Sequence, residues 1–283
     1  MTSGLSLTVL VDNTTFMDHD YCGEAGLSLL LESAGKKILF DTGLSGLFLT
    51  NAEKMGIGLR DLDFLVLSHG HIDHTGGLSA LARHLAHATP EARQPRVPEL
   101  IAHPRCFWPK EKEGRKNGSV VSEEEARRQF PVTLSDKPVW ITDDLVFLGE
   151  IPRKLAFERA DAGKRRISLP DGRTEPDQML DDSALAYRSG EGLVIITGCS
   201  HAGICNITEY AREVCGDRKV RDIIGGFHLI RPEPGRMNKT GTYLGGLSLK
   251  ALHACHCTSL PAKIALAGTC PVQEVGVGMK LAW

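Results

Sequence analysis

Four side chains that can bind metal ions fall within six positions of the segment SHGHIDHTGG, residues 68–77. They are His69, His71, Asp73 and His74. Side chains two apart in an extended segment point the same way, so His69 and His71 can bind one ion together. Asp73 and His74 follow round a turn that two glycines allow to be tight, next to the first pair. The segment alone can therefore supply ligands to two neighbouring ions. Imidazole and carboxylate groups suit zinc, manganese or iron.

Three further histidines follow short motifs farther along the chain. His201 lies in GCSHAG after an apolar run at 193–197, His228 lies in GGFHL after a run at 222–226, and His256 lies in CHCTS. Ligands gather at strand ends in α/β sheets. This position, together with the metal-binding segment at 68–77, makes each of these histidines a candidate ligand. We expect His228 to have a role in the site rather than in the core. The cysteines beside two of these histidines, Cys199 and Cys257, are interpreted as small buried residues.

The elements that position these residues are indicated by hydrophobic periodicity. Short apolar runs ending in turn residues predict strands at 5–11, 27–32, 37–41, 63–68, 193–197 and 222–226. One-face spacing predicts helices around 78–85 and 207–214, the second with a capping box of Asn206 and Glu209. A third helix is indicated by Ser122 with Glu125, and a fourth by the run 247–254. Strands lead and then alternate with helices, which indicates a layered α/β fold.

Composition narrows the class of protein. The 283 residues fit one domain, 1–283, with 33 basic and 35 acidic residues and a formal charge of -2. With so small a net charge, the protein has no overall positive potential that would attract nucleic acid or a membrane surface. Neither is expected as a partner. No apolar run approaches the roughly 20 residues of a membrane span, and no secretory signal is recognised. The eight scattered cysteines indicate reduced thiols and a cytoplasmic protein.

The histidine segment carries a family resemblance. HxHxDH, preceded by FDTG at residues 40–43, resembles the hallmark of the metallo-β-lactamase superfamily. The resemblance implies a four-layer αββα sandwich. It also implies that His69, His71 and His201 bind the first ion and that Asp73, His74 and a late histidine bind the second. Asp41 would be a buried residue that braces the histidine segment.

One branch of that superfamily is similar over nearly the whole chain. Motifs such as VDNTT at 11–15, LDDSALAY at 180–187 and GCSHAGICNI at 198–207 resemble 7,8-dihydropterin-6-yl-methyl-4-(β-D-ribofuranosyl)aminobenzene 5′-phosphate synthase, whose relatives are also called metal-dependent hydrolases. The bridging aspartate usual in the superfamily is replaced here by Phe227 and His228. Either His228 or His256 would therefore complete the second metal site.

The expected activity follows from two divalent ions, with zinc preferred over manganese or iron. Ions that share a water produce a hydroxide near neutral pH and polarise the bond under attack. The first hypothesis is a hydrolase of a small phosphoester, in which Asp73 orients the nucleophile and His228 serves as a proton donor or anion binder. The second is a transferase that joins a pterin methyl diphosphate to a ribofuranosylaminobenzene phosphate. A non-catalytic metal-binding protein is the third.

Two polar segments are candidates for substrate recognition. Residues 107–119 combine two aromatic side chains with a basic run, and residues 231–242 are rich in Pro, Gly and basic residues. We predict that both are loops beside the metal site that bind an anionic, ring-containing small molecule, with solvated surface loops as the alternative. The residues expected to contact this substrate are Asn13, Arg231, Arg236 and Lys239.

Overall fold

The computed structural model describes residues 4–87, 96–158 and 162–283. The strands of this part of the chain are β1 (Leu5–Val11), β2 (Ser28–Ser33), β3 (Lys36–Phe40), β4 (Phe64–Val66), β5 (Glu99–Ala102), β6 (Lys110–Lys112), β7 (Arg115–Lys116), β8 (Val132–Leu134), β9 (Val139–Trp140), β10 (Leu145–Phe147), β11 (Arg165–Ser168), β12 (Thr174–Pro176), β13 (Ala184–Ser189), β14 (Gly192–Thr197), β15 (Val220–Gly226), β16 (Ala251–Cys255) and β17 (Lys280–Ala282). The helices are α1 (Leu47–Lys54), α2 (Ile72–Thr75), α3 (Leu78–Ala86), α4 (Glu123–Gln129), α5 (Ile204–Cys215), α6 (Pro234–Gly245) and α7 (Leu260–Ala267). None of these helices is long and apolar enough to cross a membrane.

Two large sheets form the centre of the fold. The first has the order β17-β1-β2-β3-β4-β5-β8 and the second the order β16-β15-β14-β13-β10-β9. In the second sheet β14, β15 and β16 run parallel, so their carboxyl ends lie at one edge. A separate small sheet has the order β12-β11-β6-β7. It is tied to the segment after β4 by backbone contacts, because the Ile72 amide donates to the Asn117 carbonyl at 2.9 Å and His71 forms a bridge with Gly118.

Three layers of buried side chains separate four layers of structure. The layer between the two sheets contains side chains such as Phe40 and Phe147. A second layer packs α1, α3 and α4 on the outer face of the first sheet, and a third packs α5, α6 and α7 on the second sheet. Apolar stripes on helices bury themselves against sheet faces in this way. The predicted four-layer αββα sandwich is confirmed.

Most predicted elements are present, with ends shifted by a few residues. The six predicted strands correspond to β1, β2, β3, β4, β14 and β15, and three of the predicted helices to α3, α4 and α5. Ser122 forms the expected capping box with Glu125 at the start of α4. The capping box predicted for Asn206 is wrong, because α5 begins earlier at Ile204. There, the buried Glu158 carboxylate accepts hydrogen bonds from the amides of Cys205 and Asn206, at 2.9 and 2.7 Å.

Three predictions of element type were wrong. Half of the expected helix at 247–254 lies in β16, because a short apolar run fits a buried parallel strand as well as a helix. The expected loop at 231–242 is mostly α6. Its Pro234 stands at the start of the helix, where the ring presets the backbone and the missing amide costs nothing. The segment 107–119 is likewise no simple loop, since it contains the β6–β7 hairpin.

Candidate metal centre

The candidate ligands converge because strands of both sheets end at the same place. The histidine segment leaves β4 and enters α2, with His71 as its N-cap. His201, His228 and His256 follow β14, β15 and β16, whose parallel pairing aligns their carboxyl ends. The structure thus brings together residues that are up to 187 positions apart in sequence, from His69 to His256.

His69, His71 and His201 form the first group of donor atoms, which lie within 4.8 Å of one another. His69 Nε2 is 3.0 Å from His71 Nδ1, and the buried His201 Nε2 has no hydrogen-bond partner in the described residues. Burial lowers the pKa of His71 to about 3 and those of His69 and His201 well below the usual histidine value. All three rings are therefore neutral near pH 7 and offer lone pairs, as metal ligands must.

Asp73, His74, His256 and Cys199 form the second group. His74 Nε2 lies 3.2 Å from His256 Nε2 and 3.3 Å from Cys199 Sγ. Asp73 Oδ2 lies 3.4 Å from His256 Nε2 and 3.8 Å from His74 Nε2. Ligands at the bond lengths of tetrahedral zinc stand about 3.3–3.6 Å apart. The separations in this group therefore fit one tetrahedral ion.

Asp41 holds His74 and the start of the histidine segment in place. Its carboxylate accepts hydrogen bonds from the Ser68 amide at 2.7 Å, the Ser68 hydroxyl at 2.6 Å and His74 Nδ1 at 2.7 Å. Burial opposes a charge on His74, but the carboxylates of Asp41 and Asp73 outweigh it and raise the His74 pKa to about 9. Asp41 holds one proton at Nδ1, so the Nε2 atom of His74 faces the other donors, and a metal ion that binds there would displace the second proton of the ring.

Residues at the end of β1 orient His256. Asn13 Oδ1 lies 2.8 Å from His256 Nδ1, and the His256 amide donates to Asp12 Oδ1 at 2.8 Å. Asn13 was expected to contact substrate, and the structure places it against this histidine and at the wall of the cavity described below. Asp12 was not singled out from the sequence. The signal was a carboxylate directly after an apolar strand, which is a common position for site residues.

His228 lies beside the first group rather than in the second. Its ring centroid is 4.2 Å from that of His201, and its buried Nδ1 has no hydrogen-bond partner in the described residues. It has a left-handed backbone with φ of 49°, which directs the chain away from β15. The structure therefore places His256, and not His228, with Asp73 and His74, while His228 stands at the open side of the centre.

Cys199 was interpreted from the sequence as a small buried residue, yet its thiol belongs to two donor groups. It stands with Asp73, His74 and His256, and also with His201 and His228. Its position two residues before His201, at the end of β14, was the available signal. A cysteine alone is weak evidence, and only the distances to its neighbours identify it as a candidate ligand.

A buried ion pair supports the histidine segment from the small sheet. Lys110 Nζ lies 3.0 Å from Asp181 Oδ2, and both side chains are completely buried. The same Asp181 oxygen accepts a hydrogen bond from the amide of Gly70, between His69 and His71, at 2.8 Å. A Cβ at Gly70 would lie 1.9 Å from the Cys106 carbonyl oxygen, so only glycine allows this close approach.

The donor groups line a cavity of about 410 Å³. Its walls are formed by Asn13, Ala25, His71, Ile72, Asp73, Lys112, Asn117, Arg165, Cys199, His201, His228, Ile230, His256, Cys257, Thr258 and Ser259. Of the two segments expected beside the site, 107–119 contributes Lys112 and Asn117. Phe107 is buried in the outer core and offers no stacking surface.

The second segment contributes less than expected. Ile230, directly before this segment, lines the cavity, whereas Arg231, Arg236 and Lys239 are not among the lining residues. Arg231 and Lys239 are exposed, and the Lys239 ammonium lies 6.0 Å from the centroid of the Phe157 ring. Their contact with substrate stays a prediction.

Comparisons with known proteins agree with this geometry. A family model described as the metallo-beta-lactamase superfamily matches residues 23–158. The chain is 30% identical over 275 residues to the 7,8-dihydropterin-6-methyl-4-(beta-D-ribofuranosyl)-aminobenzene-5′-phosphate synthase of Methanocaldococcus jannaschii, covering 92% of this chain and 89% of that protein. Among solved structures, Tm1679, described as a metal-dependent hydrolase of the beta-lactamase superfamily, matches with a TM-score of 0.82 and 27% identity over 98% of both chains. A diphosphatase from the PhnP family is 16% identical with a TM-score of 0.54, covering 99% of this chain and 97% of that one, a similarity of fold alone.

Proposed function

Because the chain belongs to the metallo-β-lactamase superfamily, we propose that it is a metal-dependent hydrolase that uses two divalent ions to cleave a small phosphoester. The observation that carries this proposal is the pair of adjacent donor groups at one wall of a cavity whose other wall bears basic side chains. Zinc is the preferred metal, since imidazole, carboxylate and thiolate ligands at tetrahedral spacing suit it. Manganese and iron are alternatives.

The residues that would hold the ions are those of the two donor groups. His69, His71 and His201 would hold one, and Asp73, His74, His256 and Cys199 the other. Ions bound there would lower the pKa of a bound water to near neutrality, and they would neutralise negative charge on phosphate oxygens.

The chain's own residues have distinct tasks beside the ions. Burial opposes ionisation of Asp73, but His74 and His256 outweigh it and hold the pKa of Asp73 below its usual range. Asp73 is therefore a carboxylate near pH 7 and can accept a hydrogen bond that orients a nucleophilic water. His228 also lines the cavity, and its imidazole would give a proton to the leaving oxygen.

A transferase is the second candidate, favoured by the similarity to the archaeal synthase over most of both chains. In this reaction an arylamine nitrogen attacks a pterin methyl carbon and diphosphate leaves. Ions held by the same donor groups would then bind the diphosphate as it leaves. Product analysis separates the two reactions, since hydrolysis consumes water and transfer couples two organic molecules.

Metal content is the first test. We expect metal-loaded protein to contain up to two transition-metal ions per chain, because the ligands exceed those of one tetrahedral site. Elemental analysis, followed by assays on phosphoesters and on the two synthase substrates with and without chelation, checks this. His84→Ala, on helix α3 away from the centre, is the matched control. Protein that binds no metal after loading would rule out the proposal, and so would turnover that persists after complete metal removal.

Cys199 gives a spectroscopic prediction. If its thiolate is a ligand, protein loaded with cobalt should show a near-ultraviolet thiolate-to-cobalt charge-transfer band, because cobalt occupies zinc sites and its thiolate bonds absorb. We expect Cys199→Ser to abolish this band and Cys257→Ser, at the neighbouring thiol, to retain it. A band that survives in Cys199→Ser would show that this thiol is not a ligand.

A further inference from the structure

The small sheet turns a row of basic side chains toward the metal centre. Lys112 on β6 and Arg165 on β11 are directly opposed in the antiparallel register, so their side chains lie on the same face. Lys110, two residues earlier on that face, is buried against the histidine segment. This face is therefore the one that looks onto the centre, and both Lys112 and Arg165 line its cavity.

The other face of the sheet has a different charge pattern. There Glu111 stands between Arg166 and Lys116 in the cross-strand register, so opposite charges alternate. On the cavity face the opposed residues are both positive, Lys112 on β6 and Arg165 on β11. Positive charge is therefore concentrated on the face that an anionic ligand in the cavity would meet.

Lys112 and Arg165 differ in their contacts with the rest of the protein. Asp177 acts electrostatically on Arg165 from the β12 side. Across the described ranges no carboxylate forms an ion pair with Lys112, whereas its neighbours Lys110 and Glu113 are paired with Asp181 and Lys164. The charge of Lys112 is therefore available to a ligand.

Asn117 supplies a neutral polar group beside the two cations. It lines the same cavity, and its buried Oδ1 has no hydrogen-bond partner among the described residues. Its side-chain amide also carries an NH₂ group, which can donate two hydrogen bonds. The Asn117 carbonyl accepts from the Ile72 amide at 2.9 Å, so this group is held next to the ligand His71.

We propose that Lys112, Arg165 and Asn117 form a subsite for a second phosphate group of the substrate, away from the bond that reacts at the metals. This inference rests on the proposed function and narrows its substrate class to small molecules with two anionic groups. A cavity of about 410 Å³ is large enough for such a molecule, since ligand pockets start at roughly 300 Å³.

Binding of phosphonates to zinc-loaded protein tests the subsite without any turnover. Methylphosphonate can occupy only one phosphate position, while alkane bisphosphonates of increasing length can reach a second. By calorimetry we expect the best-fitting bisphosphonate to bind wild type at least about tenfold more tightly than methylphosphonate, the scale of one charge-assisted hydrogen bond. Lys112→Met and Arg165→Met should remove most of this ratio and leave methylphosphonate binding unchanged.

Arg166→Met is the matched control, because Arg166 is the next residue on β11 and faces the other way. Lys112 is exposed, so its replacement is expected to fold normally even if that of Arg165 does not. The proposal is overturned if no bisphosphonate binds more tightly than methylphosphonate, if Lys112→Met keeps the wild-type ratio, or if Arg166→Met lowers it equally. A retained ratio in a protein that hydrolyses no ester would contradict the hydrolase proposal alone.

Discussion

Replacing Asp73 with Asn is expected to lower kcat by about 10²- to 10⁴-fold, the usual contribution of a group that positions or accepts a proton. The change removes the negative charge of the second donor group and the carboxylate that faces the cavity. The fold should persist, because the side chain is about 31% exposed and the contacts that fix α2 are made by backbone atoms. Steady-state kinetics on whichever substrate is found, together with metal analysis, measures the effect.

Asp61→Asn is the control for this substitution. Asp61 is an exposed carboxylate that pairs with Lys37 at the opposite end of the first sheet, so its loss should leave kcat within a factor of two or so. We also expect Asp73→Asn to hold fewer ions than wild type after the same loading. Wild-type turnover with a full metal content in Asp73→Asn would exclude the assigned role.

The core of the site could be predicted from local sequence because its signals are local. Spacing within 68–77 places four ligands close together whatever the rest of the fold does. His201, His228 and His256 could be found because apolar strands precede them, and parallel strands present their carboxyl ends at one edge. What spacing could not decide was which late histidine joins Asp73 and His74. That depends on the hydrogen bonds that His256 donates to Asp12 and Asn13.

The features that were missed depend on contacts between distant residues. Lys110 lies in the segment that was predicted to bind substrate as a loop, and only the approach of Asp181 makes it part of a buried ion pair. Lys112 and Arg165 are separated by a long stretch of chain, and only the register of β6 and β11 opposes them. Pro234 and the glycines of α6 favoured a loop by composition, but buried side chains such as Met237 and Leu244 fix a helix there. Tertiary packing overrides weak local propensity in such segments.

Lys110→Met is expected to destabilise the protein by about 3–5 kcal/mol, because it leaves the buried carboxylate of Asp181 without its partner. Lys112→Met, two residues along the same strand and exposed, should cost less than about 0.5 kcal/mol. Denaturant unfolding of both variants in the metal-loaded state measures the difference. A cost below about 1 kcal/mol for Lys110→Met would contradict the importance of the pair.

The cost of Lys110→Met should also depend on pH, with a sign that identifies the cause. In wild type, burial raises the pKa of Asp181, but Lys110 and the Gly70 amide outweigh it and lower that pKa below the usual aspartate value. The stability from this group is therefore present above the unfolded pKa of about 3.9 and is lost only as the pH falls through the folded value. In Lys110→Met, burial without the lysine should raise the pKa of Asp181 in the folded protein above its value in the unfolded chain. The free-energy cost of burying this carboxyl therefore shrinks as the pH falls and the group becomes protonated. The stability difference between wild type and Lys110→Met should accordingly be smaller at pH 5 than at pH 8. A difference that does not change with pH would mean that lost packing of the lysine stem, and not an uncompensated carboxylate, accounts for the destabilisation.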